Sequence, residues 1–250
     1  MFWRLFRKEW KENRFVITIW FLVIVVAALA IPLSYDYLLR LVETSPILPQ
    51  SPEVLAVFRE YRLYLWSQWF GKNAYQNATI FAVLLGMGMV AGEAGRKTID
   101  FLLTKPVSRA LIWAAKFAAA GLALWLGLLV SWAGLLLSSH LNGRPVAWGW
   151  YWQGLPGLLA GSTLLLAVVA LSSTLFDDRI KAGAAAVGIF LVLSIPSWIP
   201  NLRWLSVFHQ MAGHEVLQRG QVPWLTILVL LGLAAGLYGL GLAIFRRREF

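Results

Sequence analysis

The sequence predicts an all-α integral membrane protein with six transmembrane helices and both termini on the cytoplasmic side. Of its 250 residues, 59% are hydrophobic and only 14% are charged. Uncharged runs long enough to cross a bilayer, about 20 residues each, recur along the chain. The short alternating segments of an outer-membrane barrel are missing. The formal charge of +10 is placed at the ends of the apolar runs, where lysine and arginine meet headgroups and fix orientation. A nucleic-acid-binding protein would gather that charge on one face of a folded polar domain, so no nucleic-acid partner is expected. The chain has no cysteine, which excludes disulfides, thiolate metal sites and cysteine nucleophiles.

A single membrane domain over residues 1–250 is expected. Residues 1–14 place Arg4, Lys8 and Lys11 on one helical face and Phe2, Trp3, Phe6 and Trp10 on another. Such a helix lies in the interface, with its rings in the acyl boundary and its cations on anionic headgroups of the membrane lipids. The first span covers 15–35. Its Ala28-Leu29-Ala30 resembles a signal cleavage site, but the long flank containing Glu9 and Glu12 favours a retained helix.

Residues 36–72 form an external segment. Three prolines between Ser45 and Pro52 rule out regular structure there, and Ser51-Pro52-Glu53 reads as a helix start with proline at the first position. Val54, Val57, Phe58, Tyr61, Leu65 and Trp69 then recur at helical spacing over Glu53–Phe70. The expectation is an amphipathic helix on the membrane or against the spans.

The second span, 73–92, and the third, 111–137, flank the most informative stretch. Phe101, Leu102 and Leu103 make an apolar patch flanked by Lys97, Asp100 and Lys105, which suits one or two helical turns lying flat at a membrane surface. Pro106 ends that helix, because it lacks an N–H and clashes with the preceding turn. Ser108 stands where the N-cap of the next helix belongs. Residues 93–110 therefore read as a short, capped, charged elbow able to receive a push.

Beyond the third span, Asn142-Gly143-Arg144-Pro145 signals a turn, and Trp148, Trp150 and Trp152 mark a membrane–water boundary. The fourth span covers 153–176. The turn Asp177-Asp178-Arg179-Ile180-Lys181 leads to the fifth, 182–198, which Pro196 and Pro200 interrupt near its end. Residues 199–221 are external, with a short interfacial helix over 202–218, and the sixth span covers 222–245. With this layout, 15 of the 22 lysines and arginines fall in the two tails, the elbow and the fourth–fifth turn. The positive-inside rule then puts those parts in the cytoplasm.

Within the spans no Asp, Glu, Lys or Arg is expected, which disfavours an ion-coupled carrier, since the coupling ion must bind somewhere in the bilayer. Gly88/Gly92, Gly157/Gly161 and Gly232/Gly236 have the spacing that lets helices approach closely, and packing within one bundle accounts for them. Gly92–Thr98 echoes a phosphate-binding loop only faintly: it has the wrong spacing and follows a membrane helix instead of a strand. His209, His214 and Glu215 do not read as a metal site, because an i, i+5 pair does not align two imidazoles on one helical face. No nucleophile–histidine–carboxylate set has a recognisable signature.

The elbow resembles that of the ABC-2 type transporter permeases. Those proteins commonly show a glutamate ending the second span, a Gly-Thr step, a Leu-Leu pair, then Pro-Val-Ser-Arg and a lysine opening the third span. Here the matching positions are Glu93, Thr98, Leu102-Leu103, Pro106-Val107-Ser108-Arg109 and Lys116, while Lys97 stands at the usual glycine and Asp100 at a common glutamate. The resemblance implies a non-enzymatic permease subunit in the cytoplasmic membrane of a prokaryote. It would pair with a second permease chain and recruit separate ATP-binding cassette subunits, which hold the ATP and magnesium. The elbow would be the coupling helix, with Glu93, Thr98, Asp100, Phe101, Leu102, Leu103, Pro106, Val107, Ser108 and Arg109 at the ATPase contact. The cargo would be lipophilic or amphipathic: a peptide, an antibiotic or a lipid-like molecule. A stand-alone carrier or channel is the alternative, and a membrane-embedded enzyme or scaffold a third reading.

Overall fold

A computed structural model describes residues 1–44, 52–97 and 107–249. These residues are all-α, and five helical segments are long and apolar enough to cross a membrane: Arg14–Thr44, Arg109–Leu141, Trp148–Leu175, Arg179–Trp198 and Trp224–Arg247. The proline-rich stretch 45–51 and the tip of the elbow, 98–106, lie outside the described residues.

Helix α1 (Phe2–Glu12) ends at Asn13, whose side-chain amide donates back to the Glu9 carbonyl at 3.0 Å. Helix α2 (Arg14–Thr44) follows almost at once and runs past the expected end at 35. The external amphipathic helix expected over 53–70 is two helices, α3 (Pro52–Arg59) and α4 (Tyr61–Gln68), parted at Glu60 where the backbone turns extended. Its second part is not a surface helix. Tyr64, Leu65, Trp66, Trp69 and Phe70 are fully buried, and the Trp66 indole donates to the Ala212 carbonyl at 3.2 Å. With aromatic residues this large on the inward face, burial outweighs the interface.

The second span also departs from its expected bounds. Helix α4 continues through a π-helical turn, Trp69–Ala74, into α5 (Tyr75–Gly86). The Asn73 side chain donates to the Gln68 carbonyl at 2.7 Å and holds the widened turn. The helix then stops at Gly86, where a Cβ would come within 2.8 Å of Val169, and a short α6 (Ala91–Gly95) follows the break. The break is closed from outside the segment. Ser173 Oγ accepts from the Val90 and Ala91 amides at 2.9 and 3.0 Å and donates to the Met87 carbonyl at 3.1 Å.

Helix α7 (Arg109–Leu141) begins at Ser108, whose hydroxyl accepts from the Leu111 amide at 3.2 Å, the N-cap bond its position suggests. Helix α8 (Trp148–Trp152) leads through a turn into α9 (Leu155–Leu175), the helix around which the bundle is built. It packs against α5, α7 and the helices α10 (Arg179–Trp198) and α13 (Trp224–Arg247). Of its most apolar stretch 78% is buried, against 22% for α10 and α13. A helix apolar all round, with glycine, alanine and serine at its contacts, belongs in the centre. Gly157 and Gly161 serve this packing: a Cβ at either would strike the Gln210 carbonyl at 2.7 Å or Met211 at 2.2 Å. Gly232 and Gly236 meet nothing within the protomer.

Between α10 and α13 the expected single helix over 202–218 is three short turns: a 3-10 segment, Pro200–Leu205, then α11 (Val207–Met211) and α12 (His214–Arg219). Gly213, at φ +67°, makes the break, and a side chain there would meet the Trp66 ring at 2.7 Å.

Replacing Ser173 with alanine strands two buried amides, those of Val90 and Ala91, at the start of α6. A loss of roughly 1–3 kcal/mol is expected for each uncompensated group, read as a lower melting temperature in detergent with Ser172→Ala as the control.

Candidate functional site

Four charged side chains from three elements meet at the elbow end of the bundle. Lys116 lies two turns into α7, with no other charged residue between Arg109 and the end of that helix at Leu141 apart from His140, and its side chain is only 3% exposed. Its ammonium donates to Glu9 of α1 and to Glu93 of α6, both at 2.9 Å. Lys8 adds a second bridge from the rim, at 3.1 Å to Glu93 and 3.3 Å to Glu9, and also pairs with Glu12 at 3.4 Å. Burial opposes the Lys8 charge, but Glu9, Glu93 and Glu12 outweigh it and hold its pKa above the ordinary lysine value. The expectation that no charge lies inside the spans is therefore corrected at Lys116.

The elements that deliver these groups follow from local sequence. On α1 the inward face is Leu5 and Glu9, both buried, and the aromatic residues take the flank. Phe2, Trp3, Phe6 and Trp10 form a ladder with ring centroids 5.5–6.2 Å apart. Trp3 is 74% exposed while Phe2 and Trp10 reach the core. Glu93 is held by α6, whose start is fixed by Ser173. Beside the ion cluster a cavity of about 390 Å³ opens, lined by Glu9, Glu12, Glu93, Arg96, Lys116 and Arg179 among others.

A second polar clamp holds the far flank of the elbow. Arg109 donates to the carbonyls of Phe245 at 2.8 Å, Arg246 at 3.2 Å and Arg248 at 2.6 Å, so a cation caps the C-terminus of α13. Arg248 reaches the Thr174 and Phe176 carbonyls at the end of α9 and the Asp177 carboxylate. Of the elbow residues singled out in sequence, Glu93, Val107, Ser108 and Arg109 are thus placed. Glu93 and Arg109 turn inward onto other helices, Val107 packs on the core, and Ser108 caps α7. Thr98, Asp100, Phe101, Leu102, Leu103 and Pro106 lie outside the described residues. Lys97, at the position where the resemblance has glycine, takes φ +54°, a conformation that costs roughly 1–2 kcal/mol for a side-chain-bearing residue.

Carboxylate oxygens of Glu9, Glu12 and Glu93 all lie within 4.8 Å of one another, a grouping able to ligate a cation. The Lys8 ammonium already stands within 3.4 Å of all three, so their charge is met by the chain itself. His209 and His214 differ from expectation: the turn at Gly213 breaks the helix, so the i, i+5 spacing no longer separates the rings. They stack with centroids 4.6 Å apart and planes 23° from parallel. Stacked rings point their in-plane lone pairs side by side, not at a common point, so the geometry still does not favour a metal.

The cluster has no nucleophile set against a base. What it can do is bind three elements into one unit. A buried ion pair contributes little net stability, but removing one partner leaves an uncompensated buried charge. Lys116→Met is expected to destabilise the fold by about 3–5 kcal/mol, and Glu9→Gln with Glu93→Gln in the same chain should restore part of that. Melting curves of the single and triple variants in detergent decide it.

No curated protein matches the chain. Residues 3–250 match the family model for the ABC-2 family transporter protein. Over essentially its whole length, then, this chain is a member of the ABC-2 transporter family, a non-catalytic membrane transport subunit.

Proposed function

We propose that the chain is the permease subunit of an ATP-binding cassette exporter in the cytoplasmic membrane. It would form, with a second permease chain, the path for a lipophilic or amphipathic cargo. Family membership supports a translocation role. The observation that carries the mechanism is the buried Lys116–Glu9–Glu93 cluster. It joins the N-terminal helix, the helix entering the elbow and the helix leaving it.

In this reading six crossings are made. The sixth is 73–92, carried by α5 and continued past the break after Gly86 into the start of α6; its 20 residues match a hydrocarbon core of about 30 Å. Both termini and the elbow lie in the cytoplasm. An ATPase subunit docks on the elbow, with Phe101, Leu102 and Leu103 as its apolar contact and Thr98, Asp100 and Pro106 shaping that turn. Movement of the ATPases on binding and hydrolysing ATP displaces the elbow. Glu93 hands the displacement to α1 and α7 through Lys116, and the Ser108 cap and the Arg109 clamp prevent the start of α7 from unwinding. The aromatic ladder of α1 lets that helix slide in the headgroup layer without leaving it.

Leu102→Asp should leave membrane insertion intact and abolish coupling. In proteoliposomes containing the ATPase, hydrolysis should continue while cargo transport falls at least tenfold. Transport at the wild-type rate would refute docking at the elbow. Transport driven by an ion gradient without any ATPase would favour the stand-alone carrier.

A further inference from the structure

The end of the bundle away from the elbow carries a second polar cavity, unrelated to the ion cluster. It holds about 250 Å³ and is lined by Tyr75, Ser197, Arg203, His209, His214 and Gln218 among others. Arg203 comes from the 3-10 turn after α10, the two histidines from α11 and α12, and Tyr75 from the start of α5. The site is assembled by the left-handed turn at Gly213, which folds α12 back and brings the two imidazoles face to face.

The donors here outnumber the acceptors. A guanidinium, two imidazoles, a side-chain amide and the Tyr75 hydroxyl surround one space, the Ser197 hydroxyl already donating to the Ser194 carbonyl, and no carboxylate is among its lining residues. The nearest acid, Glu215, accepts from Gln210 at 3.3 Å, and among the described residues no carboxylate pairs with Arg203. Burial holds both imidazoles below the ordinary histidine range; His214 and then Arg203 add to it at His209, with Glu215 acting the other way, and Arg203 adds to it at His214. The cavity is therefore short of negative charge. A tetrahedral oxyanion, with three or four oxygens about one centre, offers several accepting atoms, which suits a guanidinium beside two stacked rings whose nitrogens lie side by side. Exposed Trp198 and Trp204 flank the segment, which is the mark of headgroup depth.

We propose that this cavity binds a phosphate group, free or carried by a membrane amphiphile, held by Arg203 and the His209–His214 pair. A bound phosphate charges the imidazoles and converts a mutual repulsion into a bridged cluster. Without it, acidification below the ordinary histidine value of 6.5 favours separation of the rings, because the separated form takes up the proton more readily.

The chain has three histidines, so selective ¹³C labelling gives three ring signals, with His140 as an internal control. The full-length protein in an uncharged detergent is titrated with inorganic phosphate and with dihexanoyl phosphatidic acid, at constant ionic strength. Saturable shifts at His209 and His214 alone are expected, with their titration midpoints moving up by about one pH unit. Arg203→Gln, at an exposed position that does not threaten the fold, should weaken binding at least tenfold. Equal affinity for both probes assigns the site to free phosphate, and at least tenfold tighter binding of the lipid assigns it to an amphiphile. Absence of shifts beyond those of His140, the same shifts with chloride, or unchanged binding by Arg203→Gln overturns the proposal. None of these outcomes depends on whether an ATPase docks at the elbow.

Discussion

Lys116 is almost fully buried where it sits, and much of the architecture at that end of the bundle answers to that fact. An ammonium with a 3% exposed side chain inside an apolar helix carries a desolvation cost of several kcal/mol unless its charge is met at contact distance. Two carboxylates at 2.9 Å meet it, and they come from elements far apart in sequence. Neither α1 nor α6 is long enough to hold its place alone. Their position beside Lys116 follows from the electrostatics of one lysine as well as from the burial of Leu5 and Val90.

The neighbouring bonds make sense as a frame for that cluster. Ser173 fixes the amides that open α6, so Glu93 is presented from a defined point on the central helix. The cap at Ser108 fixes the first turn of α7, and Arg109 ties that turn to the end of α13. Arg248 ties the same end back to α9. The start of α6, through Ser173, and the start of α7, through Arg109 and Arg248, are thus referred to α9. The segment between, whatever docks on it, is mounted on a rigid base.

The legible parts were those that depend on local pattern. Long uncharged runs marked the crossing helices, and the Pro106–Ser108 step marked the start of α7 because capping needs only neighbouring residues. The rest depended on distance. Glu9 looked like an interfacial charge and Lys116 like the last cation of the elbow. Only the fold brings them together, although a lone lysine in the run Ala114–Ala120 was a signal that a partner had to exist. The segmented second helix was missed because Trp66, Trp69 and Phe70 suit a surface helix and a core helix equally by spacing. The stacked histidines were missed because one left-handed glycine abolishes the helical register on which their separation was argued.

A rigid base confines motion to the places where the ladder of backbone bonds is already interrupted. On the elbow side the cluster joins α1, α6 and α7, and separating them would expose buried charge, so they must travel together. The helix leading into α6 is interrupted twice, at the π turn 69–74 and at the break after Gly86, where backbone bonding is irregular and side chains complete it. Such positions absorb a change in φ and ψ at lower cost than a regular helix does. In the proposed mechanism, stiffness thus lies where force would enter and compliance one helix away. A permease needs that division if a displacement at its surface is to reopen the bundle without melting it.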